Sequence, residues 1–271
     1  MLLTRILTAV IGIPLIFLCI YFGGLPFYLM VFIISVLSVY EYLFIVKKYN
    51  PHTVVSLIMA SGFFLFLCFC KIYCCCGCDC VDKASISAIL MLLILFAIEV
   101  FKGKAGRSVE RIATSFLGAF FIPLALVYMV YIRDLDDGMQ LIFFIFIEVW
   151  VLDTAAYVFG NMFGKHKLVK EVSPKKTIEG AVAGIVFGVL SAVICGYLFM
   201  SNILTLCQSG VLGFVISIIG QFSDLAESLI KRDGNVKDSS NLIPGHGGVF
   251  DRFDSYIFAV PAIYYVLIFI K

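Results

Sequence analysis

Long apolar stretches separated by short polar segments dominate the hydrophobic pattern of this chain. Nine stretches approach or reach the roughly 20 residues that a helix needs to cross the hydrocarbon core of a bilayer. They cover residues 6–22, 25–46, 54–72, 84–101, 112–132, 139–159, 180–200, 211–230 and 253–270. They are longer and more evenly apolar than the alternating strands of a membrane β-barrel, which run about ten residues. The pattern therefore predicts an all-α polytopic membrane protein with nine transmembrane helices.

Composition excludes a soluble globular enzyme. Of the 271 residues, 62% are hydrophobic and 14% are charged, whereas an ordinary soluble domain carries about 25% charged residues. The net charge of +2 gives no indication of a nucleic-acid partner. Because no linker or internal repeat interrupts the chain, we expect a single transmembrane domain over 1–271. Its helices within 1–110 form an N-terminal part, and 111–271 is the half that carries the candidate chemistry.

The basic residues predict the orientation of the helices. Sixteen of the 20 Lys and Arg residues fall in alternate polar segments that begin with the N-terminus. The opposite segments hold Lys71, Lys83, Arg133 and Lys271. By the positive-inside rule, the N-terminus is cytoplasmic, and the C-terminus lies outside after nine crossings.

Half of the cysteines crowd into one predicted outer loop. Of the ten in the chain, this loop contains Cys74, Cys75, Cys76, Cys78 and Cys80. Their spacing fits neither paired CxxC units nor a zinc pattern, and no histidine accompanies them. We interpret the segment as an outer loop that forms disulfides if its compartment is oxidising.

A polar stripe marks the cytoplasmic end of the eighth apolar stretch. It consists of Asp224, Glu227, Ser228 and Lys231. Their spacing of i, i+3, i+4 and i+7 places the four side chains on one face of a helix. A carboxylate near the middle of a membrane costs on the order of 2.5 to 3.5 kcal/mol and usually faces a bundle interior or a water-filled cavity. Membrane anchoring explains the lysine, but it does not explain Asp224.

The last apolar stretch opens with a similar face, formed by Asp251, Asp254 and Ser255. A segment rich in turn formers, 231–248, joins it to the preceding stretch. Three glycines in this segment permit positive φ angles and a close approach of the backbone to a bound anion; they are Gly245, Gly247 and Gly248. A hairpin of two acid-faced helices predicts a site for a hard cation, Mg²⁺ above others. The alternative for Asp251 and Asp254 is simple helix capping.

A second polar cluster precedes the seventh stretch. Ser173 and Pro174 predict the N-cap and first residue of a helix. Lys175 and Lys176 at such an N-terminus would suit a phosphate group, although an ordinary cap with basic membrane anchors explains them equally well.

Five further polar residues lie in or near the apolar stretches or in the segment that joins the last two of them. Asp153, in the sixth stretch, is predicted to be a buried acid, and a functional role is slightly favoured for it. Glu148 lies deeper in the same stretch and on a different face of the helix from Asp153. The alternative for both is a hydrogen bond to a neighbouring helix. We interpret Glu41 and Glu99, near helix ends, as anchors. The role of His246 is left open: it is a general base, a metal ligand, a hydrogen-bond donor to phosphate, or none of these, as is usual for a histidine in a loop.

The segment 228–254 resembles the signature of the phosphatidate cytidylyltransferases. The matching positions are Ser228, Lys231, Arg232, Lys237, Asp238, Pro244, Gly245, His246, Gly247, Gly248, Asp251, Arg252 and Asp254. Supporting matches lie in 173–180 and in 150–157, so the resemblance covers the C-terminal half. The sequence departs from the family at Ser223, where a glycine is common.

This resemblance implies transfer of the cytidylyl group from CTP to phosphatidate, which forms CDP-diacylglycerol and pyrophosphate for phospholipid synthesis. It also implies a homodimer in the bacterial inner membrane, with a Mg²⁺-dependent site that faces the cytoplasm; a second cation is left open. Asp224 and Asp251 would be the metal ligands. The implied catalytic residues are Asp224, Asp251, Lys231, Arg232, Lys237, Asp238, His246, Arg252 and Asp254. The implied substrate-binding residues are Ser173, Lys175, Lys176, Thr177, Glu179, Glu227, Ser228 and Asp153.

The chemistry of this reaction agrees with such a residue set. A phosphate monoester is already an anionic nucleophile, so the reaction needs charge neutralisation rather than a strong base.

Two alternative functions remain. One is an ion-coupled transporter with intramembrane carboxylates, although inverted repeats are absent from the sequence. The other is the same transfer to an isoprenoid ether lipid phosphate.

Overall fold

The structure is a computed structural model that describes residues 2–73, 80–103 and 106–270. Ten α-helices occupy most of this part of the chain. Their bounds are α1 Leu2–Phe22, α2 Gly24–Ile45, α3 Thr53–Tyr73, α4 Cys80–Lys102, α5 Ser108–Phe116, α6 Ile122–Arg133, α7 Gly138–Phe163, α8 Ile178–Phe199, α9 Leu206–Asp233 and α10 Phe250–Ile270. A 3₁₀ turn, Val46–Tyr49, follows α2, and a π-helical turn, Leu117–Phe121, joins α5 to α6. The cysteines at positions 74–78 lie outside the described residues.

Eight helices of the described chain are long and apolar enough to cross a membrane, and α1 adds a shorter apolar helix, Ile6–Phe22. Each of these nine coincides with one predicted stretch, α5 and α6 together forming the fifth. The prediction of an all-α polytopic membrane protein is therefore confirmed. The orientation of its termini stays a prediction.

A small antiparallel hairpin interrupts the helices before α8. Strand β1, Lys167–Val169, pairs with β2, Ser173–Thr177. The prediction that Ser173 and Pro174 begin a helix is wrong, because β2 occupies this segment. The helix begins at Ile178 and its N-cap is Thr177, whose Oγ1 accepts a hydrogen bond from the Gly180 amide at 3.2 Å. The two lysines therefore project from a strand and not from a helix N-terminus.

The described chain divides into two compact units. The first contains the residues up to Tyr131 together with Asp233–Arg252. It includes a buried ionic cluster, in which the Glu99 carboxylate lies 2.5 Å from the Arg111 guanidinium and 2.8 Å from the His52 imidazole. Since the Glu99 side chain is only 4% exposed, its interpretation as a membrane anchor is wrong. It is a buried ion-pair partner that joins α4 to α5.

The second unit contains Ile132–Arg232 and the described chain from Phe253 onward. Small residues let its helices α8 and α9 approach closely. A Cβ atom at Gly213 of α9 would lie 2.4 Å from the Cβ of Ala192, and one at Gly188 of α8 would lie 2.2 Å from Ser217 Oγ. Small residues at helix contacts of this kind are typical of membrane proteins.

Candidate active site

The second unit contains a polar cavity with a volume of about 650 Å³. Helix α7 contributes Asp153 to its wall, the hairpin contributes Lys175 and Lys176, and α9 contributes Gln221 and Asp224. The prediction that Asp153 is buried is wrong, because this residue is exposed where it lines the cavity. Thr177 and Gly180, at the start of α8, line it as well. The structure thus brings together predicted site residues from four elements of this unit.

Three carboxylates form an acid cluster at Asp224, Glu227 and Asp254. Each offers one oxygen, and these oxygens lie within 4.8 Å of one another. Asp224 and Glu227 are one turn apart on α9, and Asp254 comes from the first turns of α10. The donor set consists entirely of hard oxygen atoms, which fits a divalent cation such as Mg²⁺ and not a soft metal. The acid cluster is therefore a candidate site for a divalent cation.

Two lysines balance the charge of the acid cluster. The Lys176 ammonium donates a hydrogen bond to the Asp224 carboxylate. Lys231 lies 2.6 Å from the carboxylate of Glu227, which is 2% exposed. These contacts place cationic and anionic groups side by side, and this arrangement can accept both a metal ion and the phosphates that such an ion carries.

Ser223 connects α9 to α10 beside the acid cluster. Its hydroxyl donates to the carbonyl oxygen of Asp254 and accepts a hydrogen bond from the Phe258 amide at 3.3 Å. In a regular helix those two backbone groups would pair with each other. The serine that departs from the family pattern is therefore a bridge between the two helices that carry the acids.

The first unit contains most of the rest of the predicted signature, in a loop of residues 233–250 that we call the signature loop and at the start of α10. Its amides at Ser239 and Gly248 donate to the Asp251 carboxylate at 3.0 and 3.1 Å. Gly245 and Gly247 have φ angles of 82° and 84°, which confirms the expected positive φ for these two glycines, whereas Gly248 does not adopt a positive φ. Asp251 and Asp224 belong to different units, and their sharing of one metal ion stays a prediction.

The remaining signature residues of the first unit include His246, Lys237 and Asp238 of this loop and Arg252 of α10. Thr8 Oγ1 of α1 lies 2.7 Å from His246 Nδ1, and the Arg252 guanidinium donates to the His246 carbonyl oxygen at 2.9 Å. Lys237 and Asp238 are exposed. The contact of Thr8 was not predicted, because nothing in the sequence links it to a residue so far along the chain.

Other predicted residues of the second unit support the hairpin. Arg232 donates to the Val172 carbonyl oxygen at 3.2 Å, which ties the end of α9 to the hairpin. The Glu179 carboxylate accepts from the His166 amide at 3.2 Å and lies 2.6 Å from its Nδ1. Ser173 pairs with Val169 across the strands. Ser228 is buried on α9. A direct contact of these residues with substrate stays a prediction.

Sequence reasoning missed the importance of Glu41. This residue of α2 is completely buried and accepts four hydrogen bonds from the signature loop and the start of α10. Its interpretation as an anchor is therefore wrong. The signal was present, since a buried acid inside an apolar stretch was the criterion that singled out Asp224.

Known proteins resemble the chain over nearly its full length. A sequence model of the cytidylyltransferase family matches residues 3–270. The phosphatidate cytidylyltransferase of Bacillus subtilis strain 168 is 33% identical over 264 residues, which cover 97% of this chain and 96% of that protein.

Two staphylococcal proteins match a shorter region. The phosphatidate cytidylyltransferases of Staphylococcus haemolyticus and Staphylococcus aureus strain COL are 38% and 39% identical over 159 residues, or 57% of this chain and 61% of each protein. Together with the acid cluster and its lysines, the full-length match establishes the relationship. This chain is an integral membrane member of the cytidylyltransferase family.

Proposed function

We propose that this protein transfers the cytidylyl group of CTP to phosphatidate and thereby forms CDP-diacylglycerol and pyrophosphate for phospholipid synthesis. The observation that carries the proposal is the polar cavity, in which Lys176 pairs with Asp224 of the acid cluster. The names of the relatives support the choice of lipid. The proposal includes an inner-membrane location, a site open to the cytoplasm and a homodimer.

In the proposed reaction, a phosphate oxygen of phosphatidate forms a bond to the α-phosphorus of CTP. The bond from that phosphorus to the bridging oxygen breaks, and pyrophosphate leaves with the electron pair. Phosphatidate carries a charge of about −1.5 to −2 near pH 7, by analogy with other phosphate monoesters. No side chain has to remove a proton from it. The main barrier is the approach of two polyanions, so the site has to neutralise and position them.

The residues of the polar cavity are suited to this task. Lys175 and Lys176 would contact phosphate groups, and Lys176 would exchange its contact with Asp224 for a contact with substrate. Asp224 and Asp254, with Asp251 as the predicted further ligand, would hold Mg²⁺. When bound, this ion offsets the negative charge on the phosphates of the transition state and of the leaving group.

A neighbouring apolar cavity supports a lipid substrate that enters from the side. It has a volume of about 460 Å³ and is lined in part by Trp150, Val158 and Phe187. Helix α7 contributes to both cavities, through Asp153 in the polar one and Trp150 in the apolar one. An acyl chain of phosphatidate could remain in apolar surroundings while its headgroup reaches the acids.

The proposal is tested with the purified full chain in lipid nanodiscs. With CTP, phosphatidate and Mg²⁺ present, we expect pyrophosphate and CDP-diacylglycerol in equal amounts, and neither product when one substrate is omitted. Replacing phosphatidate by an isoprenoid ether lipid phosphate distinguishes the two lipid classes. Cation flux into vesicles without nucleotide, together with no pyrophosphate release, would instead identify a transporter.

A further inference from the structure

The carboxylate of Glu41, in the first unit, accepts hydrogen bonds from two separate parts of the signature loop, residues 239–240 and residues 249–250. The Glu41 oxygens accept hydrogen bonds from the hydroxyls of Ser239 and Ser240 at 2.9 and 2.5 Å. They also accept from the amides of Val249 and Phe250 at 3.1 and 2.7 Å. Each oxygen therefore accepts one hydroxyl and one backbone amide.

The two amides belong to the start of α10. The first amides of a helix have no partner within it and need an external acceptor. Glu41 supplies this acceptor from α2, which replaces the usual local N-cap residue. The tightness of the contact also explains Gly248, since a Cβ atom there would lie 2.4 Å from a Glu41 oxygen.

The same loop residues hold Asp251. The Ser239 hydroxyl donates a hydrogen bond to the Glu41 carboxylate, and the Ser239 amide donates one to the Asp251 carboxylate. Gly248, whose amide also donates to Asp251, directly precedes the two amides bound by Glu41. Two short chains of hydrogen bonds and backbone thus connect the Glu41 carboxylate to the Asp251 carboxylate.

The end of α2 and the 3₁₀ turn after it, Val46–Tyr49, also hold the beginning of the signature loop. Lys48 lies 3.0 Å from the Asp233 carboxylate, and the Tyr49 hydroxyl donates to it at 2.8 Å. A Cβ atom at Gly234 would lie 2.6 Å from the Ile45 carbonyl oxygen. The end of α2 and the 3₁₀ turn after it therefore form the support on which the loop is built.

We propose that Glu41 is a positioning residue, which fixes the signature loop so that Asp251 is held in the orientation that the transfer reaction requires. The inference rests on the proposed function, because it assigns Asp251 a part in that reaction. Glu41 itself touches the loop and not the reacting atoms.

Substitution of Glu41 by glutamine tests this inference with little change in shape. The new amide group faces two of the four donors. A serine hydroxyl can turn and accept from it, but a backbone amide cannot, so at least one amide of the α10 start loses its acceptor. We expect a fall of about 100-fold in kcat, the size associated with a misplacement of about 1 Å. We also expect a rise of about tenfold in the Mg²⁺ concentration that gives half the maximal rate, as for the loss of a group that orients a metal ligand.

Glu99→Gln is the matched control, because it removes another buried carboxylate of the same unit whose partners are Arg111 and His52. A purely structural loss reduces the folded fraction without changing the Mg²⁺ requirement, and this is the result expected of the control. Ser239→Ala is a milder second variant that removes one hydroxyl and keeps the Ser239 amide. It should raise the Mg²⁺ concentration that gives half the maximal rate by about threefold, because one net hydrogen bond is lost.

Amide hydrogen exchange provides a readout that does not depend on activity. Exchange over 238–250 should be faster in Glu41→Gln than in the wild type and unchanged in Glu99→Gln. An active wild type whose kcat, Mg²⁺ requirement and loop exchange are unaffected by Glu41→Gln would overturn the inference and leave the proposed function standing. An inactive wild type would overturn the proposed function, and the exchange result alone would then decide whether Glu41 holds the loop.

Discussion

Lys176 shows how a single residue links the hairpin to the acid cluster. Its ammonium group contacts Asp224 and lines the polar cavity. Replacing it by glutamine removes a charge that would contact the phosphates of CTP. We expect the KM for CTP to rise by about tenfold or more, because a hydrogen bond to a charged group contributes about 1.5 to 3 kcal/mol. Initial rates of pyrophosphate release at varied CTP concentration measure the effect.

Lys170→Gln is the control for this prediction, because Lys170 is an exposed residue in the turn of the same hairpin. It should leave the KM for CTP unchanged. Equal KM values for the Lys176 and Lys170 variants would show that Lys176 does not contact the nucleotide.

We expect His52, between α2 and α3, to make the stability of the first unit dependent on pH. Burial lowers the pKa of its imidazole below the ordinary 6.5, the Lys102 charge adds to this effect, and Glu99 opposes it. The unfolded state therefore binds more protons than the folded state between the two pKa values. The stabilisation is fully present above pH 6.5 and is lost as the pH falls toward the lowered pKa.

Thermal unfolding at pH 8 and pH 5.5 tests this sign. We expect the Tm of the wild type to fall more between these pH values than the Tm of His52→Gln, which has no imidazole to protonate. Equal falls in the two proteins would contradict the assigned role of His52.

Glu41 and Asp224 show what the sequence reveals about a single residue. Both are acids inside apolar stretches, and this criterion correctly pointed to a polar environment for Asp224. Lys231, one turn after Glu227, gave the sequence a local partner that the structure contains. The donors to Glu41 lie 198 to 209 positions later in the chain, and no spacing rule connects residues so far apart. Its role became visible only from the tertiary packing.

At the scale of elements, the contact between α8 and α9 depends on glycine. A Cβ atom at Gly213 would meet Ala192 Cβ at 2.4 Å and the Gly188 carbonyl oxygen at 3.0 Å. Because backbone cannot move aside easily, Gly213→Ala should force the helices apart and cost about 1 to 3 kcal/mol, as overpacked cores do. Gly210, on the same helix, has its nearest neighbour, Val193 Cγ2, at 3.5 Å.

The matched pair is measured by thermal unfolding in one detergent. Gly213→Ala should lower the Tm. Gly210→Ala should leave it unchanged or raise it, since alanine favours a helix by up to about 1 kcal/mol over glycine. The same fall in both variants would mean that the close α8–α9 contact does not govern stability.

The helices could be predicted because long apolar stretches specify them directly, and their observed bounds differ from the predicted ones by only a few residues. The hairpin could not. Strand β2 contains Pro174 and two lysines, and its partner β1 has only three residues, so neither has the alternation that identifies a strand. Their pairing places the lysines at the polar cavity, and local propensity contains no information about that pairing.

For the whole molecule, hydropathy predicted the membrane class but not how the chain is divided. The signature loop, although it follows α9 in sequence, belongs to the same unit as the N-terminal helices. Hydropathy specifies which segments cross the membrane and leaves their packing partners open. The expectations of a single transmembrane domain, of a cytoplasmic N-terminus and of a homodimer stay predictions.

Cytidylyl transfer at the acid cluster is the reaction that we propose for this protein. Its most direct test is the single-turnover rate of CDP-diacylglycerol formation, with Mg²⁺ present, by the wild type, by Asp224→Asn and by Asp82→Asn, an exposed acid on α4. We predict that Asp224→Asn lowers this rate at least about 100-fold at an unchanged Tm, because it removes an anionic ligand from the site, while Asp82→Asn has no effect. A folded Asp224→Asn protein that turns over at the wild-type rate would contradict this proposal.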